Sequence, residues 1–110
     1  MMKLALSTAA AGLLRALLAR AGVSRDRILL TEFRSVDWNS LTFSGERHVI
    51  DLRIPAPDAD VVSDSLLGGL DEAEFAIPGQ TVADIAIAGS PTRNADGSIN
   101  VRIEALTIAE

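Results

Sequence analysis

Near the start of the chain, apolar residues recur at helical spacing. Leu6, Ala10, Leu13, Leu14, Leu17 and Ala21 fall on one side of a helical wheel, and Thr8, Ala11, Arg15 and Ala19 on the other. This period predicts an amphipathic helix from about Lys3 to Ala21, packed on a core. Gly22 suits the left-handed residue that ends a helix, with Val23 placed for the apolar contact that accompanies such a stop. The period then shortens. Arg25 to Val36 reads as a strand, with an Ile28-Leu29-Leu30 run followed by the β-formers Thr31, Phe33 and Val36.

A bend is expected over Asp37-Trp38-Asn39-Ser40, after which Leu41-Thr42-Phe43 resumes an extended pattern. Leu41 and Phe43 occupy odd positions, whereas Ile50, Leu52 and Ile54 occupy even ones. A period-two pattern shifts phase only through a bulge or a turn, and Gly45 is the natural place for it. Pro55-Ala56-Pro57 ends that strand. Asp58 or Asp60 is then expected to cap a short helix with the inner stripe Val62, Leu66 and Leu70, weakened at its end by Gly68-Gly69.

Glu74 to Ile77 reads as a short extended piece, and Pro78-Gly79 as a turn. Thr81 to Ala88 reads as a strand with Ala83, Ile85 and Ile87 on one face. Asn94-Ala95-Asp96-Gly97 is a hairpin turn leading to a last strand, Ser98 to Ile108. In it Arg102 and Glu104 alternate with Ile99, Val101 and Ile103, and the phase slips before Leu106 and Ile108. The order is α-β-β-α-β-β. It implies an α+β two-layer sandwich, a mostly antiparallel sheet covered on one face by two helices.

Composition narrows the reading further. With 110 residues there is room for a single domain, residues 1–110. Its 48% hydrophobic and 23% charged residues argue against intrinsic disorder. Mean hydropathy is +0.27, high for a chain with so little interior. Some apolar surface is therefore expected to meet a partner chain, a second copy first of all.

Fifteen acids against ten bases give a net charge of −5, and the bases are dispersed. This disfavours a nucleic-acid binder held by phosphate contacts, and no sequence-specific nucleic-acid binding is expected. Nine of the ten bases are Arg, a residue favoured in interface ion pairs. No cysteine is present, which removes disulfides, thiolate metal sites and thiol nucleophiles. Lys3 followed by Leu4 to Leu14 superficially resembles a secretory signal, but Arg15 and Arg20 interrupt it and the run is short for a spanning helix. No membrane partner is expected.

Candidate chemistry is sparse. His48 is the only histidine, and it shares a strand face with Ile50, Leu52 and Ile54. A general base needs a partner and a pocket, and a metal site needs several ligands. A structural, hydrogen-bonded histidine is the expectation. Ser40 and Ser44 nearby do not make a triad by themselves. Asp58, Asp60, Ser63 and Asp64 lack the glycine and terminal glutamate of an EF-hand loop, and a helix N-terminus accounts for them. Gly68-Gly69 and Gly79 do not form a phosphate loop. The chain is therefore expected to be no enzyme, with no catalytic, cofactor-binding or metal site and no cofactor. Trp38, the sole tryptophan, suits either an interface anchor or a lid over one end of the core.

The stretch Asp37-Trp38-Asn39-Ser40-Leu41-Thr42-Phe43-Ser44-Gly45-Glu46-Arg47-His48-Val49-Ile50-Asp51-Leu52-Arg53-Ile54 resembles the central segment of tail-completion, or tail-terminator, proteins of long-tailed phages, prophages and gene transfer agents. Those proteins tend to carry Trp-x-Ser-x-Thr, then Gly-x-x-His, then an alternating strand. An N-terminal Leu-Ala-rich helix, Ile77-Pro78-Gly79, Asp96-Gly97 and the closing Arg102 to Ala105 continue the likeness along nearly the whole chain. The segment after Ile54 departs from it: Pro55, Pro57 and Gly68-Gly69 shorten a helix that is often longer in the family.

The resemblance implies a homo-oligomeric ring, commonly a hexamer, that ends the tail tube and contributes to head–tail joining. Its partners would be the tail tube protein and a head–tail connector protein. It also implies assembly in the cytoplasm and a final place in a phage-like particle. Trp38, Leu41, Phe43, Arg47 and His48 are the candidate interface residues. The rival reading is a small binding module enclosing an apolar ligand or lipid, with Trp38 and Phe43 at its mouth.

Overall fold

A computed structural model describes residues 6–110. Its order is α1 (Thr8–Ala21), β1 (Leu29–Asn39), β2 (Ser44–Ile54), α2 (Ala59–Leu67), β3 (Gln80–Ile87), β4 (Thr92–Arg93) and β5 (Ile99–Ala109). The strands form one antiparallel sheet in the order β1-β2-β5-β3, with the short β4 also on β5. This is the expected α+β architecture, an antiparallel sheet with two helices.

The first helix begins where Ser7 caps it, its hydroxyl accepting from the Ala10 amide at 3.1 Å. Residues 3–5 of the expected helix lie outside the described residues; Leu6 and Ser7 precede its first turn. It ends at Gly22, left-handed with φ 69°. Its buried stripe includes Ala10, Leu13, Leu17 and Ala21, close to the predicted one. Gly12 lies on that face because a Cβ there would stand 2.6 Å from Ile77 Cγ2. Arg20 joins the helices by donating from Nε to the Leu66 carbonyl at 2.9 Å and from its guanidinium to the Gly68 carbonyl. A cation thus meets the free carbonyls at the end of α2, where the helix dipole favours it.

The α2 N-terminus differs from expectation. Asp58 is left-handed, with φ 64°, and its side chain makes no capping bond. Asp60 instead pairs with Arg93 of β4. Val62 and Leu66 do face inward, but Leu70 belongs to a following 3-10 turn, Leu70–Glu72.

Strand boundaries and phases need more correction. Arg25–Arg27 is a 3-10 turn, and β1 starts at Leu29. No bend interrupts Asp37–Asn39, which continues the β1–β2 ladder to Asn39↔Ser44. The turn is Ser40–Phe43, so Leu41 and Phe43 set no strand phase, and β2 carries no bulge at Gly45. The irregularities lie in the edge strands instead, at Thr31 in β1 and Ala83 in β3. Ala83 is therefore not in phase with Ile85. In β5 the ladder runs unbroken, with Ile99, Val101, Ile103, Ala105 and Thr107 buried. Leu106 and Ile108 are apolar side chains on the open face rather than a phase slip.

Sheet and helices enclose one core. Leu13, Leu17, Leu66, Ile50, Leu52, Ile54 and Ile103 are wholly buried between them. Among the described residues, no helix covers the second sheet face.

Candidate interaction surface

Two features stand out on the segment that carries the resemblance: an exposed hairpin end and a buried histidine behind it. The β1–β2 turn is held by Ser40, whose amide donates to the Phe43 carbonyl at 2.9 Å and whose hydroxyl accepts from the Phe43 amide at 3.0 Å. These bonds close the turn with backbone groups and leave its apolar side chains outside. Leu41 is 104% exposed, Phe43 57% and Val36, near the end of β1, 62%. Three large apolar side chains thus stand exposed at one end of the domain.

The open sheet face continues this end. Val36 pairs with Arg47, which pairs with Leu106, and Trp38 pairs with Gly45, which pairs with Ile108. Gly45 has a specific steric reason to be glycine, since a Cβ would stand 2.0 Å from the Thr107 carbonyl oxygen. Trp38 is half-buried and Arg47 exposed. Further along, the face becomes polar and self-neutralising. Arg102 donates to both Asp51 oxygens at 2.7 and 2.9 Å, Arg34 lies 3.4 Å from Glu32, and Arg53 pairs with Asp96. The Arg102 hydrogen bond, against a smaller opposing effect of burial, lowers the Asp51 pKa, and Asp51 raises that of Arg102.

His48 does not belong to this surface. It is 1% exposed, sealed under β1 and β5 on the helix-covered face. This corrects its place among the interface candidates, while its structural reading agrees with the geometry. Nδ1 lies 2.7 Å from Ser35 Oγ, and Nε2 lies 2.8 Å from Thr107 Oγ1. The Phe33 ring meets the imidazole edge-on, with centroids 5.7 Å apart at 82°. Burial lowers the His48 pKa, with Glu46 opposing that shift. A neutral imidazole donates from one nitrogen and accepts at the other, and each hydroxyl can take the complementary role. The group therefore ties three strands together.

The Ser35–His48 spacing alone would suit a nucleophile and its base. Here, however, the second imidazole nitrogen meets a wholly buried hydroxyl in place of a carboxylate, and desolvation disfavours the imidazolium that proton abstraction would create. Sequence reasoning did not find Ser35 and Thr107, which stand 13 and 59 residues from His48. Only the strand register brings them together.

Other surface features offer less. Two grooves have volumes of about 500 and 510 Å3. The first is lined mainly by polar residues such as Thr31, Asp51, Arg53 and Asn100, the second by residues including Ser7, Phe33, Ser35 and Glu46. Neither groove includes Trp38 or Phe43. Among the described residues, no group of three or more His, Asp or Glu side chains is placed to hold a metal ion. No described helix is long and apolar enough to cross a membrane. No protein-family model, curated protein or solved structure matches the chain.

Proposed function

We propose that this protein is a structural subunit of a phage-like tail, which forms a ring that terminates the tail tube and contributes to head–tail joining. The observation that carries the reading is the placement of Val36, Leu41 and Phe43. They stand exposed on the hairpin that bears the tail-terminator-like segment, apart from the buried hydrophobic cluster of the domain. The interface candidates Trp38 and Arg47 lie on the open face beside them.

The magnitudes fit repeated contacts better than a single one. Burying a full Val, Leu or Phe side chain is worth about 1.5–3 kcal/mol, so these three, scaled by their exposed fractions, together offer about 3–7 kcal/mol per contact. Association costs roughly 4–15 kcal/mol in lost freedom, so the hairpin end alone does not hold a pair of subunits. A closed ring gives each subunit two heterologous contacts and leaves no open end, provided further surface joins the hairpin. The −5 net charge suits a lumen that passes DNA without binding it. In this reading the subunit performs no catalysis, uses no cofactor, and assembles in the cytoplasm before entering the particle.

The test is electron microscopy of the purified protein mixed with polymerised tail tubes from the same source. Density capping one end of each tube, and an arrest of further growth, is expected. Tubes whose ends stay bare and keep growing would overturn the reading.

A further inference from the structure

Sheet topology points to the second surface that such a ring needs. We infer that neighbouring subunits join edge to edge, β1 of one copy lying antiparallel against β3 of the next. This rests on the ring reading and deepens it. In the order β1-β2-β5-β3 the two outer strands are β1 and β3. Apart from their ladders to β2 and β5, residues 32–38 and 81–87 make no backbone–backbone hydrogen bond among the described residues. Such edges present free N–H and C=O groups to another chain.

Strand direction favours a head-to-tail arrangement. Three antiparallel steps separate β1 from β3, so the two edges run in opposite directions. A copy rotated about an axis roughly along the strands keeps its own direction. Its β1 then meets β3 antiparallel, and the operation repeats around a ring.

Charge selects the register. Arg34 and Asp84 both lie on the open face, and Asp84 has no ion pair among the described residues. Setting Arg34 opposite Asp84 of the next copy places Phe33 beside Ile85 on the helix-covered face. Past the Ala83 irregularity it places Val36 beside Thr81 and Asp37 beside Gln80. Every pair then joins residues of the same face. A slip of two residues one way sets Glu32 against Asp84, which is repulsive. A slip the other way sets Val36 against Asp84 and leaves Arg34 opposite Ala86. The irregularity at Thr31 ends the usable β1 edge just before this stretch.

Because the chain has no cysteine, introduced thiols report the contact without background. Val36→Cys combined with Thr81→Cys should, on mild oxidation, give a covalent ladder of multimers up to the closed ring, and each single variant should give none. Native mass measured alongside separates the two levels of the account. A ring by mass with no ladder overturns the edge contact and leaves the ring standing. A strict monomer with no ladder overturns both. Cross-linked dimers from Val36→Cys alone would overturn the head-to-tail arrangement in favour of a two-fold pairing of β1 with itself.

Charge reversal gives an independent check. Arg34→Asp should weaken assembly about tenfold or more, as like charges then face each other. Adding Asp84→Arg to the same chain should restore it. Equal loss in the single and double variants would overturn the register.

Discussion

Replacing His48 by Phe would test whether the buried imidazole works as a cross-strand tie. Phe has similar bulk, so the edge-on contact with Phe33 at 5.7 Å is kept and no large cavity opens. What changes is the hydrogen bonding. Ser35 reaches solvent and can bond to water, but Thr107 is 0% exposed and, among the described residues, its side-chain partner is His48 Nε2, at 2.8 Å. Leaving that hydroxyl unpaired costs about 1–3 kcal/mol. Thr107→Val alone should cost a similar amount by stranding the imidazole nitrogen. In the double variant His48→Phe/Thr107→Val neither group remains, and the site is apolar throughout. Its loss should fall about 1–2 kcal/mol short of the sum of the single losses. Urea unfolding followed by circular dichroism at neutral pH measures all four corners of the cycle. Strictly additive losses would refute the tie, since Thr107 would then have no energetic dependence on His48.

The same histidine sets a pH dependence. Burial holds its folded pKa below the ordinary 6.5, so the unfolded chain takes up the proton first as pH falls. Stability should therefore decline on acidification through the range just below 6.5, and His48→Phe should flatten that slope in urea midpoints measured from pH 7.5 to 5. Asp96 titrates at the other end of the scale. The Ser98 hydroxyl and amide donate to it, with Arg53 adding less, and its pKa falls to about 2. Its contribution is present above the ordinary carboxylate range and lost as pH falls towards 2. A carboxyl NMR titration should show the low midpoint, and Ser98→Ala should raise it. Gly45→Ala should cost about 2–3 kcal/mol or more in the same unfolding assay, because its Cβ would meet the Thr107 carbonyl oxygen. A near-neutral effect would mean that the strands can part there at little cost.

Where side-chain period reflects burial, the sequence was a good guide. The α1 stripe, the Ile50-Leu52-Ile54 face and the Asp96-Gly97 turn all stand where the pattern places them. It misled where apolar side chains are not buried. In the sequence Leu41 and Phe43 resemble strand residues out of phase, since apolar character alone does not tell an inner face from an exposed turn. Both lie in an exposed turn. Leu106 and Ile108 suggested a slip for the same reason, and they occupy the open face of an unbroken strand. These apparent errors of phase mark the apolar surface from which the functional reading is drawn. Gly45 was singled out for a bulge that is absent; the approach of a neighbouring strand's carbonyl is its actual constraint, and that is invisible without the register. The Ser35–His48–Thr107 tie was hidden for the same reason, as was Asp60, which pairs with Arg93 from a distant hairpin.

The central claim is that the exposed hairpin end exists to join subunits. Sedimentation velocity across a wide concentration range, on the natural chain and on Leu41→Ser/Phe43→Ser, tests it most directly. Both residues are exposed, so the variant should unfold at the same urea concentration as the natural chain. The account predicts ring-sized species for the natural chain that grow with concentration, and monomer for the variant. A natural chain that stays monomeric throughout, or a variant that assembles equally well, would contradict it.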